Sequence, residues 1–361
     1  MHSSRKNLRR RCARLRTAKC RVHILLLFCL TPALLFAQTY DSAAPVPILT
    51  GNAGFFTNVQ AGTPQIVSEV NPVVLLPLGE RWLIESRGAF EGDFQPKDGN
   101  GPFGGSVAKE LDYLQADFIA NPYVTVTVGR FLTPFGIYNE RLYPIWIRCL
   151  QPEPLILPLE EGSSNGAMLR GGFPLNPAVN LNYAAYFSTL TTTNGIDSDR
   201  DVGGRIGFFL PGPRIEAGVS WQKSLQDERT NAFGFHFAWQ PTAVPVNLRS
   251  EYARSYAGSG YWVEAAYRLS QVNFWRHAMR RTEIVGRAQQ FFLGQASEDE
   301  DSEYDLPSAN TRQADFGVNY FLRDGLKATA SYGRQFSSAG DFNLWTVGIA
   351  YRFAVPLGRA Q

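Results

Sequence analysis

Few residues in this chain stand in an arrangement that does chemistry. Ser106-Val107-Ala108-Lys109 matches the S-x-x-K pattern of acyl-serine enzymes, in which the lysine activates the serine hydroxyl. That chemistry wants the two side chains one helical turn apart. Here the string stands at a step from a polar stretch into a strand-like one, and chance accounts for it. The acidic run Glu298–Asp301, with Glu303 and Asp305, offers carboxylates to a hard cation such as Ca²⁺, or to lipopolysaccharide through divalent ions. A solvated loop explains the same run. His236 and His277 have no metal-ligand spacing around them, and Cys149 has no obvious activating base. There is no Gly-rich phosphate loop and no nucleophile elbow. These residues assign no catalytic group, no cofactor and no metal.

Charges that recur at every second position carry more information. Arg87, Arg170, Arg205, Arg249, Arg268, Arg287, Lys327 and Arg352 fall on one face of period-two segments. Glu85, Glu91, Asp117, Glu216, Glu251, Glu264, Glu283 and Asp315 fall on the same face. In a strand, successive side chains point to opposite sides, so these groups share an interior. Rings of charge set the selectivity of a pore. The balanced signs fit cross-lumen ion pairs equally well. Arg130 is the exception: alternation with Val124, Val126 and Val128 puts it on the greasy face, which places it near a rim or after a bulge.

The greasy face is explicit in Trp345, Val347, Ile349, Tyr351 and Phe353, separated by Thr346, Gly348, Ala350 and Arg352. The same alternation runs through residues 313–322, 261–269, 233–239, 215–221 and 179–187. Several segments reach about ten residues, the length of a tilted membrane strand rather than a soluble one. No run of 18 or more apolar residues follows the first 37 positions. Tight Gly/Pro/Asn/Asp turns at 78–80, 121–122, 174–177, 211–213, 241–245 and 323–325 alternate with longer polar stretches such as 93–106, 189–201 and 294–311. Short turns at one end and long loops at the other are the pattern of a membrane barrel. Fifteen strands follow from residue 66 onward, and the tight turns pair all but the last. Even parity calls for one more, near 51–58. The expected fold is all-β: a transmembrane antiparallel β-barrel of sixteen strands.

Residues 133–164 then join strands five and six. This stretch is long and apolar (Ile137, Tyr138, Leu142, Tyr143, Ile145, Trp146, Ile147, Leu155, Ile156), yet it carries Glu140, Arg141, Arg148, Glu153, Glu160 and Glu161. Apolar side chains on an outside loop are a liability. Folding inward makes the loop a pore constriction with Arg141, Arg148, Glu140 and Glu153 at its edge. Packing at an oligomer interface is the alternative.

The beginning of the chain sets the compartment. Nine Lys/Arg and no acid stand between Arg5 and Arg21, followed by an apolar core and a small-residue exit at Ala37. Residues 1–37 read as a secretory signal peptide and 38–361 as the barrel. A single membrane anchor is the alternative, but the apolar run is short for one. The full chain has 35 basic and 32 acidic residues; without those nine basic residues, 26 face 32, a net charge near −6. The basic balance of the whole chain is therefore no sign of nucleic-acid binding. Three of the four cysteines also precede Ala37, which leaves Cys149 without a partner.

Three strings resemble known sequences. Val126-Thr127-Val128-Gly129-Arg130-Phe131-Leu132-Thr133-Pro134-Phe135-Gly136 and Ser259–Leu269 resemble strands of the phosphate-selective porin O/P family. Thr346–Phe353 resembles the terminal strand signal that the barrel-assembly machinery reads, although eight residues follow Phe353. The resemblance implies a sixteen-stranded, often trimeric porin in the bacterial outer membrane, embedded in lipid and lipopolysaccharide. Its lysine-rich phosphate loop has no match here. The expected activity is passive diffusion of small hydrophilic solutes or ions, anions included. A barrel with a plugged lumen and a structural or enzymatic role is the alternative. The turn-and-loop alternation predicts that a cysteine at position 302 is labelled by an impermeant reagent on whole cells and one at position 324 is not. The reverse pattern contradicts the orientation.

Overall fold

The computed structural model describes residues 46–97, 101–159, 162–193, 195–226, 229–294 and 306–358. The proposed signal peptide, Glu160, Glu161 and the acidic run at 298–305 lie outside them. Sixteen antiparallel strands close into one barrel, each paired with its chain neighbours. In chain order they are β1 (Ile48–Gln60), β2 (Thr63–Leu78), β3 (Trp82–Pro96), β4 (Phe103–Asn121), β5 (Val124–Leu132), β6 (Ser163–Asn176), β7 (Val179–Ser188) and β8 (Asp201–Leu210). The second half holds β9 (Ile215–Ser224), β10 (Asn231–Trp239), β11 (Val246–Arg254), β12 (Gly258–Arg268), β13 (Thr282–Leu293), β14 (Thr311–Arg323), β15 (Leu326–Ser337) and β16 (Phe342–Pro356).

Period-two alternation explains both faces of this wall. On β16, Trp345, Val347, Ile349 and Tyr351 point outward and are exposed, while Thr346 and Ala350 are buried. Phe316 of β14 and Phe233 and Phe235 of β10 are exposed outward in the same way. Inside, the described buried side chains are mostly polar or charged. A soluble core is the reverse. An apolar belt over a polar interior is what a bilayer outside and water inside demand.

The sixteenth strand inferred from parity is β1, and it is the closing strand. It pairs with β16 from Ile48↔Pro356 to Gln60↔Leu344 and with β2 from Ile48↔Leu75 to Gln60↔Thr63. β2 forms despite Pro72 and Pro77; its register with β3 is interrupted between Val70 and Val73, beside Pro72. The connection 269–281 is no tight turn: it holds a 3-10 turn (Leu269–Gln271) and a short helix (Arg276–Met279). Ser106–Lys109 lies within β4, on a strand rather than a helix. Asp324 is exposed in the turn between β14 and β15, at the end of the barrel where the first and last strands terminate.

β16 runs three residues beyond Phe353 and pairs with β1 throughout, so the seam does not stop at the aromatic. Gly51 sits opposite Phe353 with φ of 145°, and a Cβ there would meet the Asn71 carbonyl oxygen and the Phe353 ring. Gly51→Val is expected to destabilise the seam by about 1–3 kcal/mol through backbone strain alone and to lower the yield of heat-modifiable folded barrel on gels. Phe353→Ala should lower outer-membrane yield, whereas ending the chain at Pro356 should leave yield intact. Equal loss from truncation and substitution contradicts the placement of the terminal signal.

Candidate functional site: the lumen and its loop

The loop between β5 and β6 enters the barrel and crosses it. Its apolar residues decide that path. Phe135, Ile137, Tyr138, Leu142, Ile156 and Leu157 are buried against Ala253 of β11, Trp262 of β12 and Phe291 of β13. Cys149 and Leu150 bury against Ala266 and Val285. Ile145 packs on Phe56 of β1 and Ala350 of β16, on the far side of the lumen. The wall therefore turns large apolar side chains inward where the loop covers them. Tyr138 meets the Trp262 ring edge-on, with centroids 6.0 Å apart.

A loop buried this way has to satisfy its backbone, and wall side chains do so. Glu251 accepts hydrogen bonds from the Ile137 and Tyr138 amides and, at 3.0 Å, from the Trp262 indole. The Gly136 amide donates to Ser220 Oγ at 3.0 Å and its carbonyl accepts from Arg205 at 2.6 Å. Lys327 donates to the carbonyls of Trp146 and Arg148 at 3.0 and 2.6 Å. Arg287 reaches the Pro152 carbonyl at 2.6 Å, Asn319 the Cys149 carbonyl at 2.8 Å, and Gln289 accepts from the Leu155 amide at 2.9 Å. Every anchoring group comes from β8, β9, β11, β13, β14 or β15.

The charged candidates from the sequence meet one another here. Glu140 of the loop pairs with Arg205 at 2.6 Å and Arg170 at 3.4 Å. Arg141 pairs with Glu216 at 2.8 Å, and Arg148 with Glu153 at 2.8 Å inside the loop. Arg249 holds Glu264 at 2.5 Å and donates to Cys149 Sγ at 2.7 Å. Arg287 bridges toward Glu264 and Asp315 at 4.0 and 3.4 Å. Arg268 approaches Glu283 at 4.0 Å and stacks over the Phe321 ring at 3.7 Å. On the opposite wall Arg87 pairs with Asp112 at 2.7 Å, and Asp117 accepts from Thr127 and Gln115. Breaking one partner of such a buried pair costs about 3–5 kcal/mol, far more than the intact pair contributes.

The two walls differ in what they leave uncovered. Arg205, Arg249, Arg287 and Lys327 are nearly wholly buried beneath the loop. On β2 and β3, Glu69, Glu85 and Glu91 keep part of their surface, with Glu91 exposed. The loop faces that side with the Tyr143 ring, which is sandwiched by Arg87 at 5.1 Å and Arg148 at 4.7 Å. Arg130 lies near the loop-side end of β5, buried, and donates to the carbonyls of Leu111 and Asp197 at 2.6 and 2.7 Å. Its greasy-face parity is thus reconciled by the rim, where neighbouring backbone caps the charge. His236 is buried on β10, 3.8 Å from Glu216, and His277 is exposed on the short helix.

Sequence reasoning missed the loop's main anchors as anchors. Glu251 and Lys327 were legible as inward charges, but nothing marked them as partners of backbone groups. Gln289, Ser220 and Asn319 carry no signal beyond polarity. The inward Trp262 and Phe56 did carry one: each is a large apolar residue on the polar parity of its strand.

Burial pushes the Cys149 thiol up to about 12, with Arg249 only partly opposing it. Cys149 should therefore resist maleimide at pH 8 in the folded protein and react after unfolding. Lys327→Met leaves two close carbonyls unanswered, each worth about 1–3 kcal/mol, and should speed Cys149 labelling by about tenfold or more. Equal rates in the two folded proteins contradict the anchoring role.

A scan against protein-family models and a search of curated proteins gave no match. Solved structures do share the fold. OmpF of Salmonella typhi, in complex with daunomycin, aligns at a TM-score of 0.57 and 13% identity, covering 87% of this chain and 99% of that one. An anion-selective porin from Comamonas acidovorans gives 0.51 and 12%, covering 86% and 99%. The outer membrane channel DcaP of Acinetobacter baumannii gives 0.52 and 12%, covering 87% and 99%.

Proposed function

We propose that this chain is a passive outer-membrane porin for small hydrophilic solutes and ions, anions included. One observation carries the reading: the closed barrel is apolar outside and mostly polar and charged inside, with a loop laid across the interior. That interior is of little use to a purely structural barrel. The route runs beside the loop along the β2–β3 wall, where Glu69, Glu85 and Glu91 keep part of their surface and where, among the described residues, the loop takes no backbone anchor. The 133–164 loop forms the constriction.

The remaining features of the reading follow from the sequence. Residues 1–37 direct secretion and are removed; residues 38–361 are the mature barrel. The barrel-assembly machinery reads the β16 aromatics, and the 298–305 run lies on the external, lipopolysaccharide side. The affinity with the phosphate-selective porin O/P family rests on the strings at 126–136 and 259–269, and a homotrimer is the assembly that resemblance implies. No nucleic-acid partner enters it. A plugged barrel is the second reading, favoured by the number of buried anchors that hold the loop.

Planar-bilayer recording separates the two. Purified wild-type barrel should conduct, and removing residues 138–153 should raise single-channel conductance. Arg141 is 38% exposed and Arg148 7% in their side chains, so they do not serve equally as probes. Arg141→Glu should shift the reversal potential toward cations; Arg148→Glu should instead loosen the loop. Correct insertion without conductance contradicts the porin reading. Unchanged conductance after the deletion contradicts the constriction alone.

A further inference from the structure

The barrel end that carries the termini holds a charge arrangement unlike the rest of the lumen. Beneath the tip of the loop lies a cavity of about 310 Å³, bounded by Trp146, Arg268, Arg281, Phe321, Arg323 and Arg352. Asp324 is the single carboxylate on its lining. Elsewhere in the lumen, among the described residues, Arg87, Arg141, Arg148, Arg170, Arg205, Arg249 and Arg287 each pair with an acid. Here Arg268 alone has an acid within 4.0 Å, namely Glu283 at that limit, among the described residues. Arg281 donates to the Leu322 carbonyl at 2.9 Å, and among the described residues no acid pairs with it. Four guanidiniums thus stand against two carboxylates in one small space. The larger cavity at the same end, about 590 Å³, contrasts with this: its Arg141 and Glu216 neutralise each other at 2.8 Å.

Aromatic rings hold two of the four guanidiniums in place. Arg268 lies over the Phe321 ring at 3.7 Å, and Arg352 over the Trp146 ring at 5.4 Å. Trp146 meets Phe321 edge-on at 6.1 Å. Stacked guanidiniums keep their N–H forks directed and lose little freedom when an oxyanion arrives. Each fork takes a carboxylate in two parallel hydrogen bonds. A cavity of this size admits a solute of a few carbons.

We propose that this cavity is a binding site for small multivalent organic carboxylates. The inference takes from the proposed function only that this mouth opens to water. A monovalent acid would engage one or two arginines, whereas a di- or tricarboxylate can answer the unmatched set. Trp146 belongs to the loop tip, so an occupant would touch the loop and the wall together.

Calorimetry on the detergent-solubilised full barrel tests it, with citrate, inorganic phosphate and acetate as titrants. Citrate should bind saturably, one per chain, and more tightly than phosphate or acetate. Arg281→Ala/Arg323→Ala should weaken citrate by about tenfold or more, the loss of charge-assisted forks. Arg214→Ala, at the same end but outside the cavity, should leave it unchanged. Should the alanine pair fail to fold, Arg281→Lys/Arg323→Lys keeps the charge and removes the forks, and should still weaken citrate. No saturable citrate binding by the wild type, or unchanged binding in both double variants, overturns the proposal. Loss of co-purified anionic phospholipid with citrate binding intact overturns it too, and assigns the arginines to headgroups. A barrel that conducts but does not bind citrate defeats only this site; one that binds citrate but does not conduct defeats only the pore.

Discussion

A backbone amide in hydrocarbon has to find its partner within the protein. For a sheet, only closure meets that condition at every strand, because closure alone removes edges. The β1–β16 seam therefore bears on everything else in the molecule. It is long, thirteen paired positions from Ile48 to Gln60, and it is made by the two strands farthest apart in sequence. Long-range pairing of this kind forms late and slowly. The close approach at Gly51 and the aromatics of β16 concentrate the sequence's investment at that seam.

Closure creates a second obligation. The interior must be filled or wetted, and a thirty-residue connection between β5 and β6 lies across it. Its backbone is as demanding as a strand's, but it has no neighbouring strand to pair with. Charged side chains of the wall take that role. Glu251 receives two amides and Lys327 holds carbonyls at the deepest bend. A carboxylate or ammonium used this way is committed to holding the loop rather than to contacting solutes. The inward charges that keep exposed surface include Glu69, Glu85 and Glu91 on one wall, Arg141 at the loop, Arg170 on β6, and the arginines at the terminal mouth.

This division explains what was legible in the sequence and what was not. Strand existence, strand number and the inward course of the loop follow from local rules, period two, turn chemistry and the cost of exposed apolar side chains, and these read off directly. Even β1 yielded to parity. Most charges on the inward face were equally visible, because parity assigns them; Asp112, the partner of Arg87, was not, because a register shift in β4 at that point breaks the alternation. Their partners were not. Arg205 meeting Glu140 and Arg249 meeting Cys149 depend on how a thirty-residue loop lies across a lumen, and no periodicity encodes that. Phe274, Trp275 and His277 already mark 271–281 as a poor tight turn; that Phe274 and Trp275 are stacked and exposed beside a short helix is what turn chemistry does not encode.

The proposed function requires an open, size-limiting passage beside a firmly held loop. Swelling of proteoliposomes in a series of uncharged sugars measures that passage without relying on charge. The account predicts rapid swelling with the smallest sugars and a steep fall as solute size grows, the signature of one narrow zone. Barrels that are folded and inserted by heat-modifiability and protease protection, yet give no swelling with any sugar, would contradict it.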